Sequence, residues 1–273
     1  MRKLCLTLFS VAAVACGSDA AKNPDAAKEI DAKPNDAKVF LDGAGSGSGS
    51  YDFSCFGGTP TATSADPITV SGTTSELTMN GLTPTDGVAV SVFKTGDATA
   101  LASVTSANGG AFASGNLATG GTPIDAFIKA AIAANRTTYL YPPSPAHANL
   151  ANVPVPLVSN SLFGFLQQVA GVTQNDATNG ALLVILSDCA QSPISGATVS
   201  VKQGSSDVGT QYDLGQLSPM AAGTVAVFNV PDGSTTLTAK FGSMTFPLRT
   251  VASHKAANSV GSITATEVLP GPL

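Results

Sequence analysis

The sequence predicts an all-β protein of two tandem β-sandwiches, joined by one short helix and preceded by a low-complexity segment. Apolar and polar residues alternate in "GVAVSV" (87–92) and "TLTAKF" (236–241), the period of strands with one face in a core. Glycine-rich turns such as 108–110 and 232–233 separate the alternating runs. Many short strands divided in this way are typical of sandwiches.

An internal repeat divides these strands into two sets. The segment "TPTDGVAVSVFK" (83–94) aligns with "SPISGATVSVKQ" (192–203), so that Gly87 corresponds to Gly196, 109 positions later. Further along, "NGGAFASGNL" (108–117) loosely matches "AGTVAVFNVPDG" (222–233). A period near 109 residues is the length of one small sandwich.

We therefore expect the first sandwich over residues 53–158 and the second over 180–268. Residues 159–179 lie between them and contain an apolar pattern with helical spacing, formed by Leu162, Phe163, Leu166 and Val169. Serine at 159 or 161 offers an N-cap, and Gly171 a C-terminal stop. This connecting helix is interpreted as a strut between the sandwiches, and alternatively as an amphipathic face that binds a groove.

The first 15 residues have the features of a signal peptide. Arg2 and Lys3 precede an apolar stretch over 4–14 that is too short to span a bilayer. The sequence Ala-Val-Ala at 13–15 fits ordinary signal peptidase, and Ala-Val-Ala-Cys also resembles a bacterial lipobox. The second interpretation makes Cys16 a lipidated first residue and the membrane its partner through the lipid anchor. Since Gly17 is not the aspartate of the inner-membrane retention rule, the resemblance implies an exported, outer-membrane protein.

Residues 16–52 are predicted to be a disordered tether. A short Asp/Ala/Lys repeat runs through it, Pro24 and Pro34 interrupt any helix, and "GAGSGSGS" (43–50) has the composition of a flexible linker. The segment lies between the proposed anchor and the first apolar strand, where a spacer belongs. The alternative is a low-complexity tail without a role.

The second half resembles the carboxypeptidase regulatory-like domain, a transthyretin-like or immunoglobulin-like β-sandwich. The resemblance is carried by Gly196-Ala197-Thr198-Val199, by Gly223–Val227 with Phe228, and by Val230-Pro231-Asp232-Gly233. It covers about residues 180–265 and is weaker over 66–143, where the Val-Pro-x-Gly element is missing. The resemblance implies a mostly structural role and transfers no catalytic residue.

The candidate metal ligands do not form a recognisable site. His147 and His254 occur in no metal-binding spacing, and both are expected to be solvent-exposed and without a role. The transthyretin-like topology also occurs in intradiol dioxygenases, which hold iron with two tyrosines and two histidines. The tyrosines here are Tyr51, Tyr139, Tyr141 and Tyr212, of which the first lies in the tether. We predict neither a metal nor a cofactor.

Composition argues against several other functions. The sequence contains no G-x-S-x-G nucleophile elbow, and its few acids lie mostly in turns. A net charge of −5 disfavours a nucleic-acid partner. Tryptophan is absent and aromatics total 6%, so a sugar-stacking platform is disfavoured as well.

The four cysteines have different predicted fates. Cys5 leaves with the signal peptide, and Cys16 is the predicted lipidation site. Cys55 and Cys189 remain as an even pair in an exported protein, where a disulfide is favoured. Two free buried thiols or one reactive thiol are the alternatives.

The sequence favours a non-enzymatic cell-envelope lipoprotein whose sandwiches have a structural or binding role, with an envelope protein or a glycan as partner. The alternative is an exported enzyme of unrecognised type, a hydrolase, with a site between the two sandwiches. That alternative requires groups such as His147, Asp188 and Tyr139 to converge in one pocket.

Overall fold

The computed structural model describes residues 51–78, 81–218, 221–257 and 260–272, and confirms the all-β sandwich class. Residues 1–50, with the signal peptide, Cys16 and most of the tether, lie outside the described residues. The strands are β1 (Ile68–Thr78), β2 (Gly81–Pro84), β3 (Ala89–Lys94), β4 (Ala100–Thr105), β5 (Ala111–Leu117), β6 (Ala126–Ala131), β7 (Thr137–Tyr141), β8 (Leu150–Val158), β9 (Asn179–Leu186), β10 (Thr198–Gln203), β11 (Ser206–Asp207), β12 (Thr210–Asp213), β13 (Thr224–Pro231), β14 (Gly233–Phe241), β15 (Met244–Thr245), β16 (Arg249–Ser253) and β17 (Ser262–Val268).

The strands form one long sheet and two smaller ones. The eight-stranded sheet has the order β12-β13-β9-β17-β7-β6-β3-β4 and contains strands from both halves of the chain. A four-stranded sheet has the order β2-β1-β5 with β8 beside β1, and a five-stranded sheet has the order β11-β10-β14-β15 with β16 beside β14. The long sheet is continuous across the predicted boundary because β17 pairs in parallel with both β7 and β9.

The repeat in the sequence corresponds to a repeat in strand pairing. In the first half β1 pairs antiparallel with β5 and parallel with β8, and β3 pairs antiparallel with β6. In the second half β9 pairs antiparallel with β13 and parallel with β17, and β10 pairs antiparallel with β14. Each half is therefore a two-sheet unit, and the long sheet is one sheet of each unit joined at β7 and β17.

The two smaller sheets lie on opposite faces of the long sheet. Tyr139 and Tyr141 on β7 belong to the core under the five-stranded sheet, while the intervening Leu140 packs against the core under the four-stranded sheet. Successive side chains of a strand point to opposite faces, so this alternation separates the two cores.

The predicted connecting helix is confirmed as α1 (Asn160–Ala170), the one α-helix among the described residues. The Ser159 hydroxyl accepts the Leu162 N–H at its start, and Gly171 ends it in the left-handed conformation. Phe163 is buried in a third core against Phe228 of the long sheet, which agrees with a strut. No described helix has the length and apolar character needed to cross a membrane.

Candidate functional site

A disulfide fixes the start of the described chain to the second half. The predicted pair is confirmed: Cys55 and Cys189 are joined by an S–S bond of 2.07 Å, although 134 residues separate them in sequence. Cys189 lies just beyond the end of β9, an interior strand of the long sheet. The start of the described chain is thereby linked to the long sheet.

Asp188, the acid beside this cysteine, is a structural acceptor in the same junction. Its side chain is 3% exposed, and its two carboxylate oxygens accept the N–H groups of Asp52 (2.8 Å), Ala190 (3.0 Å) and Ser192 (2.8 Å). The Cys189 N–H donates in return to the Asp52 carbonyl (2.8 Å). This carboxylate closes the turn after β9 and holds the incoming segment, which accounts for a lone acid at the end of an apolar strand.

Aromatic residues extend the junction. Phe53 is 3% exposed and stacks on Phe241 of β14, with 5.5 Å between ring centroids. The Tyr51 hydroxyl accepts the Ser195 N–H (3.1 Å), and its ring meets Phe241 edge-on. From the sequence we expect Tyr51 in the tether (16–52) and Phe53 in the first sandwich (53–158); instead both rings pack on the core of the second half, because they find apolar partners there.

A second acid, Glu267 on β17, lies close to the junction. Burial raises the pKa of its carboxyl group, hydrogen bonds from Ser187 and Gln191 lower it, and the nearby charge of Asp188 raises it. Nothing in the sequence distinguishes Glu267 from the other acids. Its strand neighbours are β7 and β9, so its burial depends on long-range pairing that a single strand's pattern does not reveal.

His254 is not the exposed, idle residue that the sequence predicts. Its imidazole stacks on the Tyr139 ring with 3.7 Å between centroids, and its Nε2 is buried without a hydrogen-bond partner in the described region. Burial lowers its pKa to about 4; Asp232 raises it and Lys129 lowers it. The prediction is wrong because β16 pairs with β14 as far as Ser253, which carries the next residue over β7.

The three residues named for the hydrolase alternative, His147, Asp188 and Tyr139, make separate contacts. The carbonyl of His147 accepts the Ala65 N–H, Tyr139 stacks on His254, and Asp188 binds the junction. Tyr139 lies level with Thr264 on β17, whereas Asp188 follows the end of β9 beyond Val268, roughly 13 Å or more along the strands. The structure does not place these three groups in one pocket.

The tyrosine and histidine side chains also occupy different places. Tyr139, Tyr141 and His254 share one cluster, and burial raises the pKa of Tyr141 to about 12. Tyr51 lies in the junction, and Tyr212 packs near α1. Within the described ranges, no three residues among His, Cys, Asp and Glu are grouped so that they could hold a metal ion.

An open groove lies beside the junction, between the edges of the two sheets of the second half. Its volume is about 730 Å³, and Leu186, Ile194 and Val225 supply buried apolar surface to it. Val199 of β10 lines one side, and the exposed Gln211 and Asp213 of β12 line the other. The groove joins an apolar interior to a polar rim, the arrangement of many binding clefts.

The groove reaches a strand edge with free backbone groups. The Val208 N–H donates to the Val201 carbonyl, which places the backbone groups of Val201 on the β11 side. Backbone groups two residues apart point the same way, so those of Val199 face this side as well. The short β11 pairs only with Lys202 and Gln203, and no described strand pairs with Thr198 or Val199 there.

Comparison with known proteins gives distant structural similarity only. No protein-family model matches the chain, and no curated protein matches it. Among solved structures, the shaft pilin SpaA of Lactobacillus rhamnosus GG is 12% identical with a TM-score of 0.24, covering 76% of this chain and 98% of the pilin. A minor pilin of Streptococcus agalactiae is 11% identical, with a TM-score of 0.23 and coverages of 76% and 97%. The Bacillus anthracis TIE protein is 9% identical, with a TM-score of 0.23 and coverages of 74% and 34%.

Proposed function

We propose that this protein is an exported, lipid-anchored protein of the bacterial envelope whose β-sandwiches have a structural or binding role and no catalytic one. The observation that carries the proposal is the junction at residues 51–55. A disulfide, a buried carboxylate and two aromatic rings fix the entering chain to an interior strand. A stable disulfide fits an oxidising, exported compartment, and a fixed entry point suits a module held by its N-terminal end.

The anchor is assigned from the sequence that precedes the described region. Arg2, Lys3 and the apolar run over 4–14 favour export, and Ala-Val-Ala-Cys favours acylation of Cys16. More than one acyl chain gives stable membrane attachment. Gly17 favours the outer membrane as the destination.

The second half is proposed to be a carboxypeptidase regulatory-like sandwich. The residues that carry this resemblance lie on β10, β13 and β14, three strands around one core, or in the segments directly before these strands. Gly223 supports it further, since its φ is +74° and an added Cβ would lie 2.9 Å from the carbonyl oxygens of Leu186 and Ile194. An envelope protein or a glycan is the proposed partner, and a pull-down from detergent-solubilised envelope would distinguish them.

Metabolic labelling with palmitate tests the anchor directly. We expect label on the wild-type protein and none on Cys16→Ala, with the variant released from the membrane fraction. Cys5→Ala is the matched control and should be labelled like the wild type. Equal labelling of the wild type and Cys16→Ala would contradict the proposal.

A further inference from the structure

The outer edge of β10 is the counterpart of an edge that β4 covers in the first half. In the repeat, Val90 on β3 corresponds to Val199 on β10. β4 pairs antiparallel with β3 along Ala89–Phe93 and places Val104 opposite Val90. In the second half β11 is two residues long and pairs only with the last two residues of β10. The strand that closes the first half therefore has no full counterpart in the described part of the second.

The chain leaves this edge early because it crosses from one sheet to the other. β11 lies in the five-stranded sheet beside β10, whereas β12 pairs with β13 in the long sheet. Gly209 lies between them with a left-handed φ of +78°, and an added Cβ would lie 2.6 Å from Val227 Cγ1 and 2.9 Å from the Phe228 carbonyl oxygen. Glycine permits this close crossing. It leaves Thr198 and Val199 without a described strand on the groove side.

The exposure of the side chains changes at the same boundary. Val88 and Val90 of the first half are 0% and 1% exposed, while their counterparts Ala197 and Val199 are only partly buried. Val201, which the chain after β11 still reaches with a backbone hydrogen bond, is 1% exposed. Two apolar side chains that pack on the core of the second half are thus left uncovered where the neighbouring strand ends.

This edge also lacks the residues that usually protect strand edges, which are charged side chains and proline. Among the described strands β8 pairs only with β1, and it carries Pro154 and Pro156, which have no N–H to offer a further strand. The stretch 198–201 contains neither kind of residue, and Val199 directs its backbone N–H and carbonyl groups toward the groove. The edge is therefore able to pair with an extended chain.

The charge of the groove selects among extended chains. Asp213 is the one ionisable residue among the described residues that line it, on the side opposite Val199. Its carboxylate accepts the Gly215 N–H (2.8 Å), and the residue is exposed. A negative charge at the rim favours a strand with a lysine or arginine at that point and disfavours an acidic strand.

We propose that this groove accepts one extended strand of a partner envelope protein, paired antiparallel with β10 at Val199. The strand carries apolar side chains two residues apart, as β4 does with Ala102 and Val104, and a flanking basic residue that faces Asp213. Backbone hydrogen bonds give affinity, and the apolar and charged contacts give specificity. This inference rests on the binding role proposed above and names the class of its partner.

A synthetic peptide based on β4, KALASVTK, tests the site. It contains the six residues of β4 between two lysines. It is added to the full exported protein in detergent, and amide hydrogen exchange is followed at Val199. With the peptide at about ten times its dissociation constant, we expect the Val199 N–H to exchange about tenfold more slowly.

Two further peptides test the chemistry of the strand on the unchanged protein, so folding does not affect the result. KALSSSTK has serine at the two inward positions and should bind at least roughly tenfold more weakly, because it loses apolar contact. EALASVTE should bind about threefold more weakly, because its acidic ends meet Asp213.

Val199→Pro tests the backbone contact from the side of the protein. It removes the N–H that faces the groove, while the hydrogen bonds to β14 come from the alternate residues of β10. We expect the affinity for KALASVTK to fall about tenfold or more. Val199→Ala keeps the N–H and is the matched control, with an affinity within about threefold of the wild type.

Several results would overturn the inference. These are equal exchange of Val199 with and without KALASVTK, or equal affinity for KALASVTK and KALSSSTK. Protection of Val199 that grows with protein concentration in the absence of peptide would overturn it in favour of a second copy of the chain. An envelope protein retained equally by the wild type and Val199→Pro would contradict the strand acceptor while leaving the proposed binding role in place.

Discussion

The two halves of the molecule share a pairing pattern but close their cores differently. In each half a central strand, β1 or β9, pairs antiparallel with one neighbour and parallel with the other. The other sheet of each half contains a second antiparallel pair, β3 with β6 or β10 with β14. The first half closes the edge of its second sheet with the six-residue β4. The second half has a two-residue β11 there and carries the disulfide to the entering chain. Local sequence therefore determines the strands, while the short segments between them determine which half binds the entering residues 51–55 and which edge stays open.

Removing the disulfide should have the largest effect, because it joins the entering segment to the second half across a loop of 134 residues that contains the whole first half. We expect Cys55→Ser/Cys189→Ser to lower the free energy of unfolding by roughly 4–5 kcal/mol, the chain-entropy value for a loop of this length. Urea unfolding measures the loss, and amide exchange should show strands of the second half opening before those of the first. A loss below about 1 kcal/mol would contradict a stabilising role.

Asp188→Asn should be next in size. The carboxylate accepts three backbone N–H groups in a buried site, so losing its charge should cost about 2 kcal/mol. Asp86→Asn is the matched change in the first half, where an exposed carboxylate accepts the Gly110 N–H, and it should cost about 0.5 kcal/mol. Equal losses in thermal unfolding would contradict the special role of the junction.

Val90→Ala and Val199→Ala compare the closed and open edges directly. Val90 is 1% exposed, so its truncation should lower the free energy of unfolding by about 2 kcal/mol. Val199 is half-buried, so its truncation should lower the free energy of unfolding by about 1 kcal/mol. Both are measured by urea unfolding under the same conditions. A larger loss at Val199 would show that the edge of β10 is covered by the folded region itself.

Gly87→Ala and Gly196→Ala should give the smallest difference between the halves. Both glycines have a left-handed φ, +76° and +81°, and an added Cβ meets no atom within 4 Å at either. Each substitution should therefore cost about 1 kcal/mol through backbone strain alone. Thermal unfolding that separates the two costs by more than about 1 kcal/mol would show that the turns are not equivalent.

The sequence predicts most of the strands and one cross-link, for identifiable reasons. Alternation in "GVAVSV" and "TLTAKF" indicates one buried face, and serine and glycine at the ends of the helix set its length. The disulfide is predicted from an even cysteine pair together with a predicted export signal. These signals are local patterns or residue counts, and the structure agrees with the strands, the helix and the disulfide.

Local sequence patterns do not predict the features that depend on strands distant in sequence. Parallel pairing of β7 with β17 joins the halves, and neither strand's pattern indicates its neighbour. The sequence indicates an exposed His254 because the polar residues Lys255 and Asn258 follow it. Its burial results from stacking on the Tyr139 ring, which belongs to the other half. The open groove has one readable signal, because "SSDVGT" (205–210) lacks the apolar alternation that "ALASVT" (100–105) provides at the equivalent edge.

Peptide mass mapping without reduction, on protein isolated from the envelope, tests the central claim most directly. That claim is a lipid-anchored chain fixed at its entry point to the second half. The predicted result is a peptide containing Cys55 linked to one containing Cys189, with Cys16 at the N-terminus and carrying acyl groups. A free Cys55 thiol, or a disulfide from Cys16 to either of the other two, would contradict the account.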